Sequence, residues 1–494
     1  MRNSDDTYDN HEEVEAAVQR YEAALLTGTT PYFDVEEYLM IIDHYMMNDR
    51  VDEALEAYNS ASKLHGGDPE LVLMKARIDI AQGNFEQALK RLEPINELLS
   101  DNCDYYLTKA AAILELDNEA DVIDLFNKAI ETIGGGTHVE MYDIFSDIAS
   151  IYEHVHQYEN AVLFYKKALE FADDDAVEVI FKIGFCIECL GRWDEAVEYY
   201  NEAIDINPFS ELAWYNIGIA YGRMGDFDKA IEAYNYAIAL DPSFSDAIFN
   251  KGNAYCNSQK YAEALECYTE YLQIFPESIS ARCYMGECYV HLGEIDKAEK
   301  VYDNILRKQS DTCTDAWFGK AMVYGAREQY EKGIEMLHKL LSIDNEHDLA
   351  WFRLGIFNLM LDKNADALIA FEKSLELNKY NVNAWRNASL ILVLENNYKL
   401  AEEKLEEAVE LYLPDEPQLL YTLAAVAFML GDEEKCLRTF KKAFNIAPDL
   451  QYFFLSMVPK YRLPAEIKKM CGLNKRKKKK NDNNINNNTE DNEQ

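Results

Sequence analysis

The chain has 494 residues, 48% of them hydrophobic, and its 33 Tyr and 22 Phe outnumber its 21 Gly and 11 Pro. Its 89 acidic residues exceed its 48 basic residues, which gives a formal net charge of −41. So acidic a surface repels phosphate groups, which makes nucleic acid and anionic membrane poor partners for the folded region and favours neutral to basic proteins or peptides. The scarcity of Gly and Pro predicts long helices with few interruptions.

Residues 1–33 are predicted to be an acidic N-terminal segment with a single capping helix. The opening residues MRNSDDTYDNHEEVE lack the apolar core of a signal peptide. Ala17, Tyr21 and Ala24 follow at helical spacing, as expected of one helix that covers the open end of a larger array. No stretch approaches the roughly 20 apolar residues that cross a bilayer, and ten scattered cysteines fit a reducing compartment. These features predict a cytoplasmic protein without a membrane segment.

Residues 34–449 carry a small residue at a nearly constant interval. The series is Ala54, Ala88, Val122, Ala161, Ala196, Ala230, Ala264, Ala298, Gly333, Ala367, Ala401 and Cys436. Its steps are 34 or 35 residues, except for one step of 39 that contains Gly134–Gly136 and predicts a loop insertion. Each period holds two apolar stripes at helical spacing, and several periods close on a proline that ends the second helix. The chain is therefore predicted to fold as about twelve helix hairpins.

This pattern resembles the tetratricopeptide repeat family over the whole of residues 34–449. The clearest repeat, Glu211–Pro242, carries Trp214, Gly218, Ala230 and Tyr234 at the positions typical of the family. The resemblance implies an all-α fold, a right-handed α-solenoid superhelix whose concave groove is lined by the first helix of each hairpin. It also implies protein or peptide binding in that groove, so we expect a non-catalytic interaction scaffold.

The family geometry implies that the second, fifth, sixth, ninth and thirteenth residues of each repeat face the groove. Aromatic residues dominate the fifth position, and amides or cations are frequent at the sixth. The predicted peptide-binding residues are Phe181, Lys182, Tyr215, Asn216, Phe249, Asn250, Phe318, Phe352, Arg353, Asn387 and Tyr421. An exposed Asn can both donate to and accept from the backbone of an extended peptide. The alternatives are that the aromatic residues pack within the array and that the amides form a solvated face.

Residues 450–472 are predicted to form an apolar C-terminal capping helix, and residues 473–494 a disordered tail that is first basic and then Asn-rich. The apolar helix either folds onto the last hairpin or docks a second protomer, which makes residues 450–463 a possible homo-oligomer contact. A specific role for the basic run Lys475–Lys480 is left open.

No catalytic motif occurs in the sequence: there is no phosphate-binding glycine loop, HExxH or nucleophile elbow. Cys186 and Cys189 have CxxC spacing, but no second pair lies nearby, so we expect ordinary thiols. No cofactor, metal site or enzymatic activity is therefore expected. Two alternatives to a groove-binding scaffold remain: a structural protein that self-assembles through the C-terminal apolar helix, and a hydrolase hidden in the array.

Overall fold

The computed structural model describes residues 4–27, 32–116, 122–134, 136–172, 176–309 and 312–473. These described residues form 27 α-helices and no β-strand, which confirms the predicted all-α fold of helix hairpins in tandem. The chain separates into two compact units, residues 1–258 (unit 1) and residues 259–494 (unit 2). Gly135 and the predicted tail beyond Leu473, with its basic run, lie outside the described residues.

Unit 1 consists of a single helix, α1 (Ser4–Thr27), then six hairpins, then the first helix of a further repeat, α14 (Ser245–Asn257). The hairpins are α2 (Val35–Met47) with α3 (Val51–His65), α4 (Pro69–Ala81) with α5 (Phe85–Leu92), α6 (Cys103–Leu114) with α7 (Val122–Thr132), α8 (His138–His154) with α9 (Tyr158–Leu169), α10 (Val177–Cys189) with α11 (Trp193–Ile206), and α12 (Glu211–Met224) with α13 (Phe227–Leu240). Helix α1 packs on α2 through Ala17, Val18 and Tyr21.

Unit 2 begins with α15 (Tyr261–Ile274), the second helix of the repeat that α14 opens in the sequence, and continues with five hairpins. These are α16 (Ile279–His291) with α17 (Ile295–Gln309), α18 (Thr314–Ala326) with α19 (Tyr330–Ile343), α20 (Asp348–Met360) with α21 (Asn364–Leu377), α22 (Val382–Leu394) with α23 (Tyr398–Glu407), and α24 (Pro417–Leu430) with α25 (Glu433–Ile446). Helix α23 runs on into a π-helical turn, Ala408–Tyr412. Two short helices, α26 (Tyr452–Met457) and α27 (Ala465–Met470), end the described chain.

The core of each hairpin forms where a small residue meets a large one. The small residues of the periodic series are buried throughout, as Ala196 and Ala230 show with 0% exposure. Gly218 on α12 faces the ring of Tyr234 on α13 so closely that a Cβ on Gly218 would lie 2.5 Å from Cε1 of that ring. Ridges of one helix enter the grooves of the other only when such positions stay small, so the interval of the small residues sets the spacing of the hairpins.

The insertion predicted at residues 134–136 is taken up partly by helix. Helix α8 has 17 residues whereas α10 has 13, so most of the extra length lengthens α8 by about one turn. Thr137 caps this turn: its hydroxyl accepts from the backbone N–H of Glu140, whose carboxylate accepts from the backbone N–H of Thr137. The predicted loop is therefore shorter than the sequence spacing indicated.

The C-terminal segment forms two short helices, and this corrects the prediction of one capping helix over residues 450–472. Pro459 and Pro464 separate the helices, because proline cannot continue one. Phe454 is fully buried, with its ring centroid 4.9 Å from that of Phe440 on α25. Ile467 of α27 is buried in the same core. These apolar side chains are thus covered by the last hairpin of the same chain.

Candidate binding face of unit 1

The first helices of successive hairpins contact one another directly. In unit 1 these contacts join α2, α4, α6 and α8, and likewise α10, α12 and α14. Each second helix packs between the first helix of its own hairpin and the next first helix along the chain. The exposed side of α2, α4, α6, α8, α10, α12 and α14 is called the first-helix face of unit 1 below.

The predicted aromatic residues lie on first helices, but they are half-buried against aromatic partners. The ring centroid of Phe181 lies 5.4 Å from that of Tyr200, and the centroid of Tyr215 lies 4.8 Å from that of Phe244. Phe249 is half-buried in the same way on α14. The fifth position therefore contributes to hairpin packing and exposes only part of each ring.

In unit 2 the predicted aromatic residues are also packed against aromatic partners, and one of them is fully buried. Phe318 stacks on His347 with centroids 5.6 Å apart, and Phe352 lies 5.7 Å from Phe371. Tyr421, in contrast, is 0% exposed, and its hydroxyl donates to the carbonyl of Ala447 at 3.0 Å. Helix α26 packs on α24 and removes this side chain from the surface. The prediction that Tyr421 contacts a ligand is therefore wrong.

Two of the predicted asparagines make hydrogen bonds within the array, and the third is buried. Asn216 is 8% exposed, and its Nδ2 donates to the Tyr200 hydroxyl at 3.4 Å. Asn250 Nδ2 donates to the Tyr215 hydroxyl at 2.9 Å. Asn387 on α22 is only 9% exposed. The predicted groove roles of Asn216 and Asn387 are corrected by this burial, because these two side chains are covered by neighbouring helices.

The two predicted cations sit in different surroundings. Lys182 Nζ lies 3.6 Å from Glu153 Oε2, across from α10 to α8. Arg353 in unit 2 is exposed, with its guanidinium carbon 6.0 Å from the ring centroid of Phe352. Lys182 is thus partly neutralised, whereas partial desolvation by the surrounding helices lowers the pKa of Arg353.

Carboxylates recur near the end of first helices and hold tyrosines of the second helices. The Tyr165 hydroxyl donates to Glu153 Oε2 at 2.6 Å, and the Tyr200 hydroxyl donates to Glu188 Oε2 at 2.7 Å. Burial, with the adjacent carboxylate, raises the pKa of both tyrosines, so they remain neutral donors. Burial also raises the pKa of Glu188, against the effect of the Tyr200 hydrogen bond.

Three further carboxylates crowd together on α6 and α8. Asp147 reaches solvent, but the surrounding helices withhold part of its hydration, and this desolvation raises the pKa of Asp147 to about 6. The negative charges of Asp104 and Asp143 add to the rise, and Arg77 on α4 opposes it. Like charges are therefore crowded together in this part of the first-helix face.

An open cleft of about 470 Å³ lies on the same face where α8, α10 and α12 begin. It is lined by Tyr142, Val177, Glu178, Phe181, Ala203, Ser210 and Leu212. Leu212 remains 45% exposed in this cleft. Of the predicted residues only Phe181 lines it. Glu178 and Leu212 occupy the second position of their repeats, and the family geometry also assigns that position to the groove. This position could have identified both residues from the sequence.

Cys186 and Cys189 do not form a reactive pair in this structure. Cys186 is buried and Cys189 is exposed at the end of α10. Burial raises the pKa of Cys186 to about 12 and also raises that of Cys189, so both stay protonated near neutral pH. Among the described residues, no three His, Cys, Asp or Glu side chains are placed to hold a metal ion. Within that part of the chain, no helix has the length and apolarity needed to cross a membrane.

The hairpins, their constant spacing and the row of first helices define the chain as an all-helical repeat protein. Family profiles described as "Tetratricopeptide repeat" match residues 45–113, 142–175, 212–244, 233–266, 258–321 and 314–347, and one described as "TPR repeat" matches residues 190–225. Together these matches cover more than half of the sequence. The chain belongs to the tetratricopeptide repeat family.

Three known proteins illustrate the similarity. Anaphase-promoting complex subunit 3 of Schizosaccharomyces pombe is 26% identical over 169 residues, which is 34% of this chain and 25% of that protein. The TPR repeat-containing protein MJ1428 of Methanocaldococcus jannaschii is 22% identical over 316 residues, or 63% of this chain and 51% of that protein. The chain thus spans between a quarter and a half of these two relatives. The crystal structure of yeast Tom70 covers 86% of this chain and 95% of its own, with 15% identity and a TM-score of 0.45.

Proposed function

We propose that this chain is a protein–protein interaction scaffold whose first-helix face in unit 1 binds a segment of a partner protein at the cleft between α8, α10 and α12. The observation that carries the proposal is the cleft itself, an open depression of about 470 Å³ in the first-helix face. Leu212 and part of Phe181 supply apolar surface there. Buried apolar anchors of this kind contribute most of the affinity in many protein interfaces.

The comparisons support a role in a multiprotein assembly. One relative is named as a subunit of the anaphase-promoting complex, and tetratricopeptide repeats match along the chain. We infer that the chain acts by binding and not by catalysis, and that the partner is a protein. Ten free cysteines support placement in the cytoplasm, where thiols stay reduced.

The test is affinity capture from cells of the source organism, with the full chain as bait and quantitative mass spectrometry of what is retained. Leu212→Lys places a charge in the cleft, and Leu163→Lys makes the same change on α9, where Leu163 is 53% exposed. Burial of a leucine contributes about 1.5–3 kcal/mol, so Leu212→Lys is expected to lower retention of at least one discrete partner by roughly tenfold or more. Leu163→Lys is expected to retain that partner. Equal retention by both variants would count against the cleft.

A further inference from the structure

The cleft combines an apolar interior with an acidic edge. Among the residues that line it, Tyr142, Val177, Phe181 and Leu212 are largely apolar, and Glu178 alone is charged. Glu178 is exposed, so its carboxylate is open to solvent at the edge of the cleft. A partner side chain that enters the cleft therefore meets apolar surface and passes a negative charge.

The helix that contributes Tyr142 to the cleft is itself acidic, although its carboxylates are not among the residues that line the cleft. Helix α8 contains four carboxylates, at Glu140, Asp143, Asp147 and Glu153, and neither Lys nor Arg. Lys182 reaches Glu153 from α10. Nearer the start of α8, Asp143 adjoins Tyr142 in the sequence and is exposed.

Crowding of like charges there is relieved by a cation. The negative charges of Asp104 and Asp143 raise the pKa of Asp147, and the positive charge of Arg77 lowers it. These groups place Asp147 on the side of α8 that faces α6 and α4, so this crowding is not part of the cleft lining. At the cleft itself the charge is that of Glu178, and a positively charged segment is complementary to it, which speeds association and selects among partners. An acidic segment would be repelled by Glu178.

We propose that the segment bound in the cleft carries a large apolar side chain, which enters between Phe181 and Leu212, and an adjacent lysine or arginine, which pairs with Glu178. This inference rests on the proposed function and specifies the class of partner: a protein segment that is both basic and apolar. Alternate residues of an extended segment lie on the same side, so the two contacts can come from positions two apart.

The first experiment is selection of random twelve-residue peptides displayed on phage against the full chain, with Leu212→Lys as the counterselection target. The expected result is enrichment of peptides in which Leu, Ile, Met, Phe or Trp lies within three positions of Lys or Arg. Enrichment of acidic or neutral peptides that depend on Leu212 would overturn this inference and leave the binding face intact. If no peptide depended on Leu212, both this inference and the proposed function would fail.

The second experiment measures the dissociation constant of one enriched peptide by fluorescence anisotropy. Glu178→Lys is compared with Glu198→Lys, the same charge reversal at an exposed position on α11. Reversal of an interface charge is expected to weaken binding roughly tenfold for Glu178→Lys and less than about twofold for Glu198→Lys, with a smaller difference at high salt. Glu178→Gln, which removes the charge without adding another, is expected to fall between them. Equal dissociation constants for the two reversals would overturn the role of Glu178.

Discussion

The close approach of a helical glycine to an aromatic ring recurs at one position of the repeat. A Cβ added to Gly184 would lie 2.8 Å from Tyr200, and one added to Gly355 would lie 2.6 Å from Phe371, much as at Gly218. The rings are fixed by their own packing and cannot move aside without strain. These glycines are therefore required by the distance between the two helices of a hairpin.

Gly218→Ala is expected to lower the free energy of unfolding by about 1–3 kcal/mol, because one extra methyl group overpacks the hairpin against Tyr234. Gly222 lies one turn later in the same helix, where an added Cβ would meet nothing within 4 Å. Gly222→Ala is therefore expected to stabilise the chain by about 0.5–1 kcal/mol, since Ala favours helix over Gly. Urea denaturation followed by circular dichroism checks both, and a Gly218→Ala midpoint at or above that of Gly222→Ala would contradict the packing account.

Asp147→Asn is expected to stabilise the chain at pH 7.5, because it removes a carboxylate that the folded state holds ionised at a cost. Its folded pKa of about 6 lies above the usual 3.8, so the folded state takes up a proton first as the pH falls. In the wild type, ionised Asp147 lowers the free energy of unfolding by its full amount above pH 6 and by less below pH 6. The stability difference between Asp147→Asn and the wild type should therefore be smaller at pH 5.2 than at pH 7.5.

Thermal melting of both proteins at the two pH values checks this. Glu198→Gln, on an exposed site of α11, controls for the loss of one surface charge. An advantage of Asp147→Asn that grew as the pH fell would contradict the charge crowding described at α6 and α8.

At the scale of residues, the sequence predicted which helices form the candidate binding face, but it did not predict all of the side chains exposed there. Phe181 was correctly assigned to a first helix from the repeat spacing. Asn216 and Tyr421 were assigned to the groove by position alone, and their burial depends on Tyr200 of the preceding hairpin and on the terminal helix α26. The contact with Tyr200 joins two successive hairpins, and α26 lies outside the repeats. The spacing of residues within one repeat therefore predicts neither contact.

At the scale of elements, one residue at positive φ occurs in the turn of each hairpin whose turn the structure describes, which leaves out only the turn between α6 and α7. Glycine takes this place at Gly191, Gly225 and Gly431, with φ of 74°, 80° and 83°. Non-glycine residues take it elsewhere, among them His156 and Glu328, with φ of 61° and 58°. A left-handed conformation costs an L-residue roughly 1–2 kcal/mol, so the repeats with non-glycine turns carry local strain.

Glu328→Gly is expected to raise the free energy of unfolding by about 0.5–1 kcal/mol, because relief of the left-handed strain exceeds the entropy that glycine gains in the unfolded chain. Glu335→Gly makes the same change at an exposed site inside α19, where it should cost about 1 kcal/mol. Urea midpoints of the two variants should therefore move in opposite directions. A lower midpoint for Glu328→Gly would contradict the strain at this turn.

The order and pairing of helices could be predicted from the sequence, because each period contains two apolar stripes and one small residue. The segments that depart from the period were harder to predict. The extra turn at the start of α8 depends on the cap formed by Thr137 and Glu140, and the two-helix C-terminal segment depends on Pro459 and Pro464. In such segments the capping residues and prolines determine where the helices begin and end, and the repeat pattern does not predict these positions.

At the scale of the whole chain, the net charge of −41 and the features of unit 1 point to the same partner. The cleft lies entirely within unit 1, between residues 142 and 212, so its binding is a property of that unit. Arrays of this kind gain stability mainly from neighbouring hairpins, which lets exposed positions such as Glu178 and Leu212 serve recognition with little effect on folding. The central claim is that a partner segment sits at this cleft.

The most direct measurement is site-specific photo-crosslinking, with a benzoylphenylalanine residue at position 212 in one sample and at position 163 in another. Both positions are exposed leucines of unit 1, and the bulky apolar replacement preserves their character. The account predicts a discrete partner adduct from position 212 and none from position 163 when each protein is irradiated in cell extract. Equal adducts at both positions, or an adduct from position 163 alone, would contradict the claim that the cleft of unit 1 is the binding site.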